Sequence, residues 1–247
     1  MIVKASKRSV PIDRDPFGRS LPHDLVETNL IVKWVVQEMD QIQGFVLTGG
    51  ASSRMGRDKA QMEVGGKMLY ERSAIALAEV CAEKIFLVGR NAADLAAKTE
   101  LAVNSIPDRH AERAAMPAAS IVGLYSALAN AKTKWIAVLA CDLPFVRGQL
   151  ISKLAEHRSE KFDAIVPLQE DATPQPLCAL YRRERCLPVA EEMLLVGEFQ
   201  LRKFLSRVTT HYVDNDKIAR LEGSTEFFLN VNDHAEYEAA LKILKRG

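Results

Sequence analysis

The sequence predicts an α/β fold of three layers, with an open and mostly parallel sheet enclosed between helices. Three observations predict it. From residue 44 onward short apolar runs alternate with amphipathic segments, the pattern of strands joined by crossover helices. The apolar runs are nearly continuous instead of alternating with polar residues, as expected of strands covered on both faces. The first run leads at once into a glycine-rich stretch, Leu47-Thr48-Gly49-Gly50-Ala51-Ser52-Ser53-Arg54-Met55-Gly56-Arg57-Asp58-Lys59, and open α/β sheets bind ligands beyond the carboxyl ends of their strands.

The elements follow in order. Residues 44–48 form the first strand and 67–82 an amphipathic helix. The run KIFLV at 84–88 is a second strand, 91–98 a short helix, and 101–106 a third strand ended by the turn Pro107-Asp108. A helix over 120–130, with Ser120 as its candidate N-cap, precedes a strand over 135–140. A helix over 147–158 and a strand over 164–167 come next, then a strand over 177–181 after the turn-rich Thr173-Pro174-Gln175-Pro176. Helices over 183–196 and 200–206, strands over 208–213 and 227–230, and a closing helix over 235–245 complete the pattern, with right-handed crossovers expected throughout.

Residues 1–38 stand apart, with three prolines, dispersed charge and no strong period before Leu30. They predict a disordered extension ahead of a domain of residues 39–247, and Met39 offers an alternative start of translation. With 33 Lys and Arg against 32 Asp and Glu, the net charge is +1. No global field recruits nucleic acid or an anionic membrane, so an anion site has to be built locally and a small ligand is expected. Cys81, Cys141, Cys178 and Cys186 form no C-x-x-C pair and no zinc-like spacing, and the chain has no secretory leader or long apolar run. A cytoplasmic protein with four structural thiols is the expectation.

The glycine-rich loop is the strongest chemical signal. Gly49 and Gly50 let backbone N–H groups approach phosphate oxygens, Arg54 can grip them with two donors, and Lys59 can act as a compact charge near the reacting phosphorus. The loop is neither G-x-x-x-x-G-K-[ST] nor G-x-G-x-x-G, which argues against a phosphate-loop hydrolase and a dinucleotide-binding dehydrogenase. Cys141-Asp142-Leu143-Pro144 follows the strand over 135–140. By itself Asp142 reads equally as a magnesium ligand or as a turn residue ahead of Pro144. Asp108 reads either as a turn residue after Pro107 or as a ligand. Asn230 and Asn232 lie on one face if their stretch is extended, although Asn232 could instead cap the last helix.

A first strand followed by L-x-G-G-x-S-x-R-M-G-x-D-K resembles the signature of the MobA-like nucleotidyltransferases, and the resemblance extends over about residues 43–241. It implies a Rossmann-like nucleotidyltransferase fold and the transfer of GMP from GTP to molybdopterin, with release of pyrophosphate and Mg²⁺ as cofactor. It places the nucleotide against Leu47, Thr48, Gly49, Gly50, Lys59, Asp108, Gly123 and Asp142, with Lys59, Arg54 and Asp142 catalytic and Asp142 holding the metal. It places the acceptor near Arg182, beside Arg183, and near Asn230 and Asn232 of an N-V-N motif. Molybdoenzyme apoproteins or carrier proteins are the implied recipients.

Two departures bear on the site. Ala119-Ser120 stand where the family has Gly-Pro ahead of the helix carrying Gly123, and Phe199-Gln200 occupy positions where it often has Arg. Two other readings remain open: a sister enzyme using CTP or a sugar phosphate acceptor, and a nucleotide-binding escort of the cofactor that catalyses nothing.

Overall fold

In the computed structural model the described residues are 41–49, 58–81, 85–107 and 120–245. The chain divides into Met1–Asp40 and Gln41–Gly247, and all described residues belong to the second unit. The predicted extension, Gly50, Arg54 and Asp108 lie outside them.

Seven strands form one sheet in the order β3-β2-β1-β4-β6-β5-β7. They are β1 (Ile42–Leu47), β2 (Ile85–Val88), β3 (Val103–Ile106), β4 (Trp135–Ala140), β5 (Ala164–Pro167), β6 (Cys178–Arg182) and β7 (Thr210–Val213). β6 runs antiparallel to both its neighbours, and every other pairing is parallel. The helices are α1 (Leu69–Ala78), α2 (Ala92–Lys98), α3 (Ser120–Asn130), α4 (Gly148–Ala155), α5 (Arg183–Leu195), α6 (Leu201–Arg207), α7 (Asn215–Ile218) and α8 (His234–Leu244).

The strand period of two explains the layers. Ile42 and Val46 of β1 pack with α1, α2 and α4 through Leu77, Leu95 and Leu150. Phe45 and Leu47 pack on the opposite face with α3, α5 and α6 through Leu124, Met193 and Phe204. All six residues of β1 and of β4 are buried, Gln43 of β1 included. Gly44 faces α1: a Cβ there would stand 2.7 Å from Ile85 Cδ1 and 3.2 Å from Leu77 Cβ, so the helix lies closer to the sheet than a side chain would allow.

Most predicted elements form within a few residues of their expected bounds. The helix expected over 67–82 is shorter because residues 62–68 fold into an arch closed by a Glu63–Met68 bridge. α3 is described from Ser120 onward, and the residues before it lie outside the described ones. The strand expected over 227–230 does not form. Residues 222–228 are successive tight turns, with Phe227 N–H donating to the Ser224 carbonyl and Leu229 N–H to the Glu226 carbonyl. Phe227 is buried there, but it reaches the core from a turn. Among the described residues no helix is long and apolar enough to cross a membrane.

Candidate active site

The chain leaves β1 towards β2 on one side and reaches β4 on the other, so the topological switch point lies between the carboxyl ends of β1 and β4. Loops diverge there and leave a crevice. Leu47 ends β1, and its carbonyl accepts from Cys141 N–H at 3.1 Å, which ties the start of the glycine-rich loop to the turn carrying Asp142. The Leu47 side chain is buried against Gly123 of α3, where a Cβ would stand 3.2 Å from Leu47 Cδ1. Leu47 and Gly123 thus come together as a packing pair beneath the crevice.

Thr48 donates both its N–H and its hydroxyl to the Val88 carbonyl, at 2.9 and 3.0 Å, so its side chain anchors the loop to β2. Gly49 is exposed at the crevice. Beneath it Gly89 has φ +151°, and a Cβ there would stand 2.7 Å from Thr48 Oγ1 and 2.9 Å from Gly49 N. Only glycine suits that dihedral and that close approach.

Lys59 opens a single 3₁₀ turn, Lys59–Gln61, whose N-cap Asp58 accepts from Ala60 N–H at 3.1 Å. Asp58 also accepts from Asn91 Nδ2 at 3.1 Å, which braces the turn against the start of α2. From this mount the Lys59 ammonium donates to Asp142 Oδ2 at 2.9 Å and to Asn232 Oδ1 at 2.6 Å. The Lys59 and Asp142 side chains are 16 and 24 % exposed, so solvent and ligands reach a pair that is otherwise enclosed. An ammonium carries three donors, so among the described residues one remains after these two bonds.

Asn232 reaches Lys59 because its segment is held on both sides. Val231 N–H donates to the Asp142 carbonyl at 2.9 Å, and Asn232 N–H donates to the Glu236 carboxylate. Asp233, not Asn232, caps α8, accepting from Glu236 N–H at 2.9 Å. Asn230 is half-buried two residues away, its amide 3.4 Å from the Phe228 carbonyl. The Asn232–Lys59 contact and the Asn91 brace join residues 173 and 33 positions apart, a separation that local sequence does not signal.

Arg182 corrects the sequence reading. It ends β6, which runs antiparallel to β4, and it pairs in register with Trp135 at the amino end of β4. The crevice lies at the other end of that strand. The Arg182 guanidinium is buried against Glu160 at 2.5 Å, and Arg183 N–H donates to the Lys134 carbonyl at the same end. Neither arginine borders the site.

All four cysteines are free and buried. Burial pushes the Cys81 thiol up to about 12. It raises the Cys141 thiol further, with Asp142 adding to the effect and Lys59 opposing it. Thiols held protonated in this way are poor nucleophiles and poor metal ligands. Among the described residues no group of three or more His, Cys, Asp or Glu side chains could hold a metal ion; the donors at the crevice are one carboxylate and one amide.

Fold and site together define an α/β protein with a mostly parallel sheet and its candidate cleft at the switch point of that sheet. The chain belongs to the MobA-like NTP transferase domain family, whose model matches residues 44–213. It is 30 % identical over 200 residues to a "Probable molybdenum cofactor guanylyltransferase" of Geobacillus sp., covering 81 % of this chain and 98 % of the relative. It is 26 % identical over 210 residues to the molybdenum cofactor guanylyltransferase of Desulfosudis oleivorans, covering 85 and 98 %. The crystal structure of molybdopterin-guanine dinucleotide biosynthesis protein A from Archaeoglobus fulgidus superposes with a TM-score of 0.70 at 25 % identity, covering 83 % of this chain and all of that one.

Proposed function

We propose that the protein transfers GMP from GTP to the terminal phosphate of molybdopterin, releasing pyrophosphate and forming the guanine dinucleotide of the molybdenum cofactor. The observation that carries this reading is the Lys59 ammonium held between Asp142 Oδ2 and Asn232 Oδ1 at the switch point. The names of the relatives point to the guanylyl branch.

Backbone N–H groups at Gly49 and Gly50, with Arg54, bind the triphosphate, and Asp108 accepts from N1–H and the exocyclic amine of guanine. Lys59 offers its remaining donor to the α-phosphate. An acceptor phosphate oxygen attacks the α-phosphorus as the bond to the β-phosphate oxygen breaks. That oxygen is already anionic, so no general base is required, and the chain contributes orientation and fixed positive charge. Asn230 and Asn232 stand on the acceptor side; Arg182 has no part.

Magnesium fits the donor set. Asp142 Oδ2 and Asn232 Oδ1 are hard oxygens that already converge on one positive charge, and Mg²⁺ takes few protein ligands besides phosphate oxygens and water. When bound it supplies further neutralisation of the triphosphate. A reducing cytoplasm suits the free thiols, and molybdoenzyme apoproteins or carrier proteins receive the product.

Turnover with each of the four NTPs and molybdopterin tests the reading, followed by pyrophosphate release and product mass. GTP should outcompete CTP and ATP; a preference of about tenfold needs only ~1.4 kcal/mol, within reach of one paired hydrogen bond. Equal or better use of CTP would remove the guanylyl assignment. GTP binding without transfer would leave the escort.

A further inference from the structure

Lys59 and Asp142 come from segments with no strand pairing between them, yet their charged atoms meet at 2.9 Å. Something has to hold the two segments at that separation. The Lys59 turn runs directly into the arch of residues 62–68, where Leu69 N–H donates to the Met62 carbonyl at 2.9 Å and Val64 N–H to the Lys67 carbonyl at 2.8 Å. Asp142 runs into Leu143-Pro144-Phe145. A small apolar cluster lies beneath both, joining Val64 and Leu69 to Phe145, Val231 and Ala240. Apolar contact of this kind is not directional, so by itself it leaves the two segments some freedom to shift.

Arg72, on the first turns of α1, removes that freedom. Its Nη1 donates to the Val64 carbonyl and its Nε to the Pro144 carbonyl, both at 2.9 Å. Both carbonyls lie outside the strands and helices and have no ladder partner, so each needs a donor from elsewhere. The guanidinium is planar and rigid, and two of its donors are joined to the two segments that carry the charged pair. Burial lowers the Arg72 pKa from its ordinary value, and Arg147 across an open cavity lowers it further. Among the described residues no carboxylate forms an ion pair with it. A half-buried cation without a counter-ion is costly, and its two carbonyl partners are what its position provides for.

We propose that Arg72 is a positioning residue that fixes Lys59 relative to Asp142 by clamping the Val64 and Pro144 carbonyls together. The proposal rests on the guanylyl-transfer reading for its kinetic consequence. The clamp itself is a property of the fold.

Arg72→Lys, Arg72→Ala and Arg147→Ala in the full chain test it, each measured for kcat, KM for GTP, melting temperature and amide hydrogen exchange. Lysine offers a point charge without a fork, so Arg72→Lys should lower kcat by about tenfold or more while KM changes by less than about threefold. Exchange at the Val64 and Leu69 amides should quicken in the same variant. Arg72→Ala should lose more, and guanidinium at concentrations too low to shift the melting temperature should restore part of its rate through the cavity of about 630 Å³ that Arg72 lines. Methylammonium should not restore it. Arg147 lines the same cavity and bonds neither carbonyl, so Arg147→Ala should stay near the wild-type rate. Arg72→Lys with wild-type kcat and unchanged exchange overturns the proposal, as does an Arg72→Ala loss that follows melting temperature alone and resists guanidinium. If the wild-type protein transfers no GMP, the guanylyl-transfer reading fails, and the exchange measurement still decides the clamp.

Discussion

Asn232 gives the sharpest test of the site, because its side-chain oxygen makes one bond, to Lys59. Asn232→Ala removes the amide oxygen that accepts from the Lys59 ammonium at 2.6 Å. The backbone bond of Asn232 to Glu236 does not depend on the side chain, so the segment should stay in place. A hydrogen bond to a charged donor contributes about 1.5–3 kcal/mol. At ~1.4 kcal/mol per decade of rate this corresponds to about 10- to 150-fold in kcat if the bond positions Lys59 in the transition state. Lys59 keeps its bond to Asp142, and the pair is partly open to water, so the lower part of that range is expected. Pyrophosphate release at saturating GTP and Mg²⁺ measures it. Asn232→Asp, which keeps an acceptor oxygen, should retain more activity than the alanine variant. If Asn232→Ala keeps kcat within about twofold of wild type, with its melting temperature unchanged, Lys59 does not need this partner and the catalytic arrangement argued above is wrong.

Further expectations rest on separate features. Asp142→Asn should weaken magnesium binding, so part of its lost rate should return when Mg²⁺ is titrated upward; a deficit independent of Mg²⁺ would place the metal elsewhere. Gly44→Ala puts a methyl 2.7 Å from Ile85 Cδ1 and 3.0 Å from Cys81 Sγ, and overpacking of about 1–3 kcal/mol should lower the melting temperature by roughly 2–12 °C in a domain of this size. His157 lies 3.2 Å from His211 between ring nitrogens, and burial first, then His211, Lys217 and Lys153, holds its pKa below 6.5 against an opposing Glu156. The unfolded chain then binds the proton more readily, so this stability is complete above about pH 6.5 and is lost on acidification; melts from about pH 7.5 to 5 should slope less in His157→Gln. A chain started at Met39 should stay soluble and melt within a few degrees of the full chain, and a larger drop would make residues 1–38 part of the fold.

Much of this architecture can be read from local sequence because its strands are buried on both faces. The run Trp135 to Ala140 has no polar residue to blur it, and all six residues are buried as that pattern demands. The glycine-rich loop announces itself through glycine and basic residues at fixed offsets. What escaped the reading depends on direction or on distance along the chain. Arg182 follows an apolar run just as Asp142 does, but alternation says nothing about which way a strand points, and the reversed β6 carries Arg182 to the wrong end. Residues 227–230 read as a short strand, whereas bonds reaching back three residues curl the segment into turns. The partners of Lys59 are 83 and 173 residues away, a separation that no periodicity encodes.

The reversal of β6 also decides which part of the rim can be rebuilt alone. β5 delivers the chain to the crevice end of the sheet, and β6 leaves from that same end, with Leu177 accepting from Ala140 N–H at 2.8 Å. Between them lies a hairpin fastened at its base by the Leu168–Pro174 bridge and by Gln175 N–H donating to the Pro167 carbonyl. Its tip, residues 169–173, turns through Ala172 at φ 60° and pairs with no strand. New side chains or added residues at that tip would reshape the rim at the crevice end of β5 and β6 while every strand register stayed as it is, and a glycine in place of Ala172 would ease the turn that such grafts have to keep.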